Sequence, residues 1–402
     1  MTDAPSYRYR SYDLRLYAGK DALGSLRTEA ERGAARRIFV VCGQSVAHST
    51  DLIERIKETL GDRYVGAFEG VKAGSPLPSV EEGVAAAKEA DADMIVAVGG
   101  GSAVVTARAI VILLAEKATV YELSTQYPPG QQPVSPRLME PKIPNVIVLT
   151  TPTTAMNRAG TAVIDMERHH RLELFDPKTR PTALIWDHDA LLTAPASLFL
   201  SASASIFSGL STGLAVASPN AIAHGDRIQA LRLIENNLPR LEAEPDNPEI
   251  RMELTAAAFL SNRSADVEGA GGGGGYGIIG GLAHTVDTLY AECSHGAAYS
   301  IITPLGLRFN LEQTVAGQAR LARALNAADD GTSDAAAAAK AADAVEAFFG
   351  RIGMPLRLRE VGVPREGIQQ IAEDALDDFG LHRNARPING ARELAELLES
   401  VW

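Results

Sequence analysis

The sequence predicts an α/β domain built on a parallel sheet, followed by an all-α domain. Three observations carry that expectation. Apolar, strand-like runs alternate with helical patterns through the first half, the order that parallel pairing with right-handed crossovers requires. One of those runs, 94–98, leads straight into Gly99-Gly100-Gly101-Ser102 and a helical stretch over 103–117. Beyond Ala194 the strand signals stop, and helical patterns continue to Trp402, including the alanine-rich 333–349. The boundary therefore falls near 192, giving domains 1–192 and 193–402.

Taken in order, residues 7–18 alternate bulky and polar side chains and read as a short hairpin or an edge strand. RIFVVC, 37–42, is the continuous apolar run of a strand buried on both faces, and Gly43-Gln44-Ser45 ends it. A helical pattern follows over 51–60, then a strand over 64–68, a turn-rich loop over 72–78 and a helix over 79–90. The glycine-terminated strand comes next. Glycine there lets the backbone approach a bound group, and the amides and dipole of the following helix suit a phosphate. The alternative is a tight turn with no ligand, although three consecutive glycines exceed what a turn needs. The spacing is neither GxGxxG nor a P-loop.

Six prolines within 127–144 read as a surface insertion. NVIVLT, 145–150, is a further strand leading into Thr151-Pro152-Thr153-Thr154, and TALIW, 182–186, is the last. In the helical half, 268–281 breaks the pattern with Gly271 to Gly275, Gly277, Gly280 and Gly281. Such a segment is either a linker or a mobile loop beside a site.

Composition narrows the partners. A formal charge of −12 and 5% aromatic residues argue against nucleic acid and against an anionic membrane surface. Cys42 and Cys293 make neither a disulfide framework nor a structural zinc set. No uninterrupted apolar run approaches a membrane span, and the polar start with Arg8, Arg10 and Arg15 is not a signal peptide. The expected setting is a reducing, cytoplasmic one.

Several segments then recur in a telling order: Gly99-Gly100-Gly101-Ser102, 150–155 (TTPTTA) and Phe175-Asp176-Pro177. Leu282-Ala283-His284, Ser294-His295-Gly296, 304–310 (PLGLRFN) and 383–387 (RNARP) follow. With these the chain resembles, over roughly 10–400, the iron-containing alcohol dehydrogenase superfamily, which includes maleylacetate reductases and is related in fold to dehydroquinate synthase. The resemblance implies an N-terminal nucleotide-binding domain, an all-helical C-terminal domain, an active site in the cleft between them, and a homodimer. It implies NAD or NADP, unresolved between the two, with Gly100, Gly101 and Ser102 on the pyrophosphate. Thr151, Thr153 and Thr154 would then lie on the nicotinamide side, and Gly43 near the adenosine. Arg171 stands where the family has a lysine five residues before Asp176-Pro177, keeping the charge with a different geometry. Val105 replaces the family's acidic residue, and Met156-Asn157-Arg158 replaces its Gly-Thr-Gly. Arg158 either reaches a phosphate or acidic substrate or is a solvated surface arginine.

The resemblance also allows the metal site to be checked ligand by ligand. The aspartate position falls on Phe207, the histidine one turn later on Ser211, and the next histidine on Gly280. Only His295 stands where a ligand would. A divalent first-row metal wants three or four N, O or S donors, so no metal is expected. His284 matches the family's non-ligand histidine with a proton-transfer role, and His284 and His295 are the candidate catalytic residues. Each has a plain structural alternative. Asp287, one turn beyond His284, is either its partner or a solvated carboxylate. Cys293 is either activated by a neighbouring cation or a buried thiol, His169-His170 reads as a polar turn, and His224 as surface.

The function expected is a metal-independent NAD(P) oxidoreductase acting on a small carbonyl or alcohol, an acidic keto acid among the candidates. Two alternatives stay open: a non-redox lyase, cyclase or hydrolase on the same fold, and a non-catalytic nucleotide-binding relative.

Overall fold

The computed structural model describes residues 12–128, 133–168, 170–216, 220–268, 277–378, 380–381 and 384–402. The Gly271–Gly275 run, His169, Arg383 and the first part of 7–18 lie outside these residues. Two compact units result, one of Tyr12–Pro195 with Asp246–Thr255, the other of Ala196–Pro245 with Ala256–Trp402.

The first unit is built on a six-stranded sheet in the order β1-β8-β5-β4-β2-β3, every neighbour parallel. The strands are β1 Arg15–Gly19, β2 Ile38–Cys42, β3 Tyr64–Phe68, β4 Met94–Gly99, β5 Asn145–Leu149 and β8 Ala183–Asp187. β2, β4, β5 and β8 are buried at every position, which is why they read as unbroken apolar runs. β1 alternates half-buried and exposed residues because it is an edge. It is tied down by Glu29, whose carboxylate accepts from Arg15 Nε and Nη2 and from the Tyr17 hydroxyl, each at 2.8 Å.

β6 Gly160–Asp165 and β7 His170–Phe175 form a separate antiparallel hairpin that sequence pattern did not reveal. β7, HRLELF, carries His, Arg and Glu, and β6, GTAVID, opens on a glycine and ends on Asp165, so neither looked like a buried strand. The turn expected at His170 is displaced, since His170 already pairs with Asp165. The helix expected at 79 begins at Leu77, with Pro78 in the first turn, where a missing N–H costs nothing. The helix after the glycine turn runs Gly101–Ala115. The proline-rich insertion is not wholly superficial. Leu138 is buried, and the fully buried Lys142 ammonium meets Glu116 at 2.6 Å and Asp176 at 3.1 Å.

The segment Asp246–Thr255, which sequence pattern counts with the helical half, packs with the first unit. Arg251 holds it there by donating to the carbonyls of Leu191 (2.7 Å) and Ala194 (2.6 Å). In the second unit every described element is helical. Ala196–Val216 is long and apolar enough to cross a membrane by length and composition, yet 67% of its most apolar window is buried in the fold. The alanine-rich 333–349 divides into Asp334–Ala338 and Ala341–Arg351. Helix His295–Asn310 packs on Ala196–Val216 through Gly296. A Cβ at Gly296 would stand 2.7 Å from Ser201 Cα, and its amide donates to Ser201 Oγ at 3.0 Å.

Candidate active site

In the α/β unit the expected nucleotide residues gather where two strands end. Cys42 lies opposite Val98, so Gly43 and Gly99 leave β2 and β4 side by side. The strand order reverses here, because β3 lies on one side of β2 and β4, the next strand, on the other. In open parallel sheets such a switch point, at the carboxyl ends, forms a ligand crevice. Gly99 has φ +144°, which a side chain would strain. Helix Gly101–Ala115 starts at once, with no side chain capping its amides and no acidic residue in its first turn. The positive end of its dipole is therefore not offset locally.

Pairing of β4 with β5 sets Gly99 opposite Leu149, and the Thr150 amide donates to the Gly99 carbonyl at 3.1 Å. That register lays the threonine segment along the glycine turn. A Cβ on Gly100 would run into Thr151 Oγ1, and one on Gly101 would stand 3.2 Å from Thr153 Oγ1. The two glycines thus serve the threonine contact as well as any approach by a phosphate. Thr153 Oγ1 accepts from the Ala155 amide at 3.1 Å, and Thr154 follows half-buried. Ser102 is engaged with the loop before it: its hydroxyl accepts from the Gly74 amide (3.2 Å) and its carbonyl from the Ser75 hydroxyl (3.0 Å). Arg171 is placed in β7, opposite Ile164, whose amide donates to the Ser75 carbonyl at 3.2 Å. One loop therefore links the hairpin carrying Arg171 to Ser102.

Arg108, which sequence reasoning passed over, holds the next loop. Its fully buried guanidinium donates to the carbonyls of Ala155 (2.8 Å) and Gly160 (2.9 Å), fixing both ends of the turn after the threonines. Burial, and then the charges of Arg158 and Arg180, pull its pKa down to about 9, so it keeps its charge at neutral pH. The signal available was a basic residue amid the apolar run of that helix.

In the helical unit four residues come together around one tyrosine. His284 lies in Ile278–Leu289 and His295 opens His295–Asn310, which Ser294 caps by accepting from the Ala297 amide at 3.2 Å. Their rings lie 6.4 Å apart and nearly parallel, at 11°. His284 Nδ1 is 3.2 Å from Asp378 Oδ2, and its Nε2 is 3.1 Å from the Tyr299 hydroxyl. An ionised carboxylate only accepts, so Nδ1 donates to it, and Nε2 of the neutral ring accepts from Tyr299. His295 Nδ1 is bonded to Asp287 Oδ2, and the His295 ring meets the Tyr299 ring at 4.8 Å. Asp287 thus pairs with His295. Sequence reasoning missed Asp378, for which no local signal exists, and Tyr299, which lies one helical turn after His295. Cys293 is buried, and desolvation, then the Asp287 charge, push its thiol up to about 12, the behaviour of an inert thiol.

Comparison with known proteins finds two family matches along the chain. Residues 14–188 match the family described as iron-containing alcohol dehydrogenase, and 216–402 match the Fe-containing alcohol dehydrogenase family, C-terminal. The chain belongs to the iron-containing alcohol dehydrogenase family. Its similarity to an NAD-dependent methanol dehydrogenase from Bacillus methanolicus is 26% identity, over 95% of this chain and 97% of that one. It is 24% identical to a maleylacetate reductase from Sphingobium indicum, over 83% of this chain and 81% of the relative. Its fold matches that of NADH-dependent butanol dehydrogenase A from Thermotoga maritima with a TM-score of 0.85, at 19% identity and 98% coverage of both chains. An oxidoreductase of the alcohol dehydrogenase type, with a parallel sheet and a helical C-terminal region, is therefore the coarse assignment.

The family's name implies iron, and the side chains at the corresponding positions do not fit it. Phe207, which the resemblance puts at the aspartate position, is stacked on Phe348 at 4.1 Å and edge-on to Phe349 at 5.2 Å, so hydrocarbon fills that space. Ser211 and Gly280 are buried and offer no imidazole. Among the described residues no three His, Cys, Asp or Glu side chains gather as a metal-holding group.

Proposed function

We propose that this chain is a metal-independent NAD(P)-dependent oxidoreductase that interconverts a small carbonyl compound and its alcohol. The observation that carries the reading is the glycine turn at the switch point of the sheet, with Gly43 beside it and Thr151 and Thr153 against it. A bound nicotinamide nucleotide would supply hydride. Gly100, Gly101 and the first amides of the following helix would hold its pyrophosphate, with Ser102 anchoring the adjoining loop and Arg171 in the hairpin tied to that loop. Thr151, Thr153 and Thr154 would face its reactive ring. In the helical unit His284, oriented by Asp378, would manage the proton, and His295 with Asp287 would provide a second donor against the developing alkoxide.

Phe207 in its aromatic stack supports metal independence, because an iron ligand set cannot be assembled around it. An acidic substrate would rest on Arg158, half-buried in the turn that follows the threonines. A homodimer accompanies this reading. A non-redox enzyme on the same fold is the second reading, and the joint replacement of three ligand positions by Phe207, Ser211 and Gly280 favours it.

Fluorescence titration of NADH and NADPH into metal-stripped protein separates the two. Micromolar binding of either supports the oxidoreductase. No binding at millimolar nucleotide refutes it and leaves the non-redox reading.

A further inference from the structure

The arrangement around Tyr299 has more order than a packing contact needs. Its hydroxyl faces His284 Nε2 at 3.1 Å, and its ring lies edge-on to His295 at 68°. His284 is held from the other side by Asp378, whose second oxygen accepts from the Gly380 amide at 2.7 Å. Both carboxylate oxygens are thus committed, and the imidazole plane is fixed. His284 and Tyr299 are both buried. The Tyr299 hydroxyl therefore stands at the ring nitrogen of His284 that Asp378 does not hold.

We propose that Tyr299 is the catalytic proton donor of this enzyme, resupplied by His284, with Asp378 as a positioning residue. The proposal rests on the oxidoreductase reading above. In the reducing direction the carbonyl carbon accepts hydride from a reduced nicotinamide, and the carbon–oxygen π pair moves onto oxygen. That oxygen takes the Tyr299 O–H proton. The phenolate takes the Nε2 proton of the His284 imidazolium, which the Asp378 carboxylate stabilises. The products are the alcohol, the oxidised nicotinamide and neutral His284, which regains its proton from water. Oxidation runs the same path backwards, with neutral His284 as the base. A phenol can donate one hydrogen bond while accepting another, so it can carry a proton in this way. It is also the type of group that meets developing negative charge on oxygen where no Lewis acid is supplied.

The test uses the full-length protein with NADH, and lactaldehyde and maleylacetate as carbonyl probes. Tyr299→Phe keeps the ring against His295 and removes only the hydroxyl. The expected result is a fall in kcat of about 10²–10³-fold, with NADH affinity and KM within about twofold of wild type. The solvent deuterium isotope effect should shrink, and the His284 imidazole ¹⁵N signals should lose the signature of a hydrogen-bonded Nε2. Asp378→Asn should lower kcat less, about 10-fold, and shift the same signals. If Tyr299→Phe turns over within about threefold of wild type, with its isotope effect unchanged, the proposal is overturned while the oxidoreductase reading stands. If wild type binds NADH but Tyr299→Phe is misfolded by circular dichroism, Asp378→Asn decides: normal kcat with unshifted imidazole signals overturns the relay. Wild type that neither binds nucleotide nor transfers hydride fails the underlying reading, and the relay's catalytic role with it.

Discussion

Gly281 packs so tightly on Leu381 that a Cβ at Gly281 would overlap the leucine side chain, and this contact brings Asp378 to His284. Gly281 and His284 share one helix, one turn apart, while Leu381 closes the tight turn that starts at Asp378. The missing side chain therefore sets the distance across which the carboxylate reaches the imidazole. Gly281→Ala should push that turn outward, destabilise the protein by about 1–3 kcal/mol and lower kcat with little change in nucleotide affinity. Denaturant melts and steady-state kinetics check this together. A variant as stable and as active as wild type would mean that the turn yields without moving Asp378.

Gly100 meets two demands that a double mutant can separate. Gly100→Ala should lose stability by about 1–3 kcal/mol, because the new methyl runs into Thr151 Oγ1, and should lose NADH binding. Adding Thr151→Ala removes the obstructing hydroxyl, so stability should return. Nucleotide affinity should not, since the methyl still stands in the backbone approach. Recovery of both would reduce the glycine to a packing role.

Much of the sheet was legible in the sequence because strands buried on both faces have no room for polar residues. β2, β4, β5 and β8 appear as apolar runs within a residue or two of their true ends. The β6–β7 hairpin was not legible, since a strand with one wet face can carry Arg171 and Glu173 and lose the contrast on which recognition depends. The site divides in the same way. Gly99–Ser102 and the threonines are contiguous and their chemistry is local. The His284–Asp378 pair joins residues 94 positions apart, and no local pattern announces it. Tyr299 was in reach, because helical spacing places it on the same face as His295.

Acid sensitivity should be traceable to Glu29. Burial would raise its pKa, but hydrogen bonds from Arg15 and Tyr17 and the Arg15 and Arg32 charges outweigh this and leave it below the ordinary glutamate range. A folded pKa below the unfolded value near 4.3 means that its stabilisation is complete above that value and is lost as pH falls through the folded pKa. Glu29→Gln should therefore cost about 1–3 kcal/mol at neutral pH, and the gap to wild type should close as pH falls through the lowered folded-state pKa. Urea melts at several pH values measure it. A gap that stays constant with pH would assign the loss to packing alone.

Metal content tests the reading of Phe207 most directly. The ring is fully buried between Phe348 and Phe349, so a cation there would face aromatic carbon on the side where a carboxylate should bind it. Dialysed protein should hold well under one iron or zinc per chain by elemental analysis. Adding Fe²⁺ or Zn²⁺ should raise neither the melting temperature nor turnover, because a ligand stabilises only by binding the folded state. Restoring one ligand should not rescue the site. Phe207→Asp would bury a carboxylate with no partner and empty an aromatic contact, costing about 3–5 kcal/mol, without the other donors a metal needs. A stoichiometric metal that survives dialysis and raises the melting temperature would overturn this account, and its ligands would then have to be sought around His295 and Asp287.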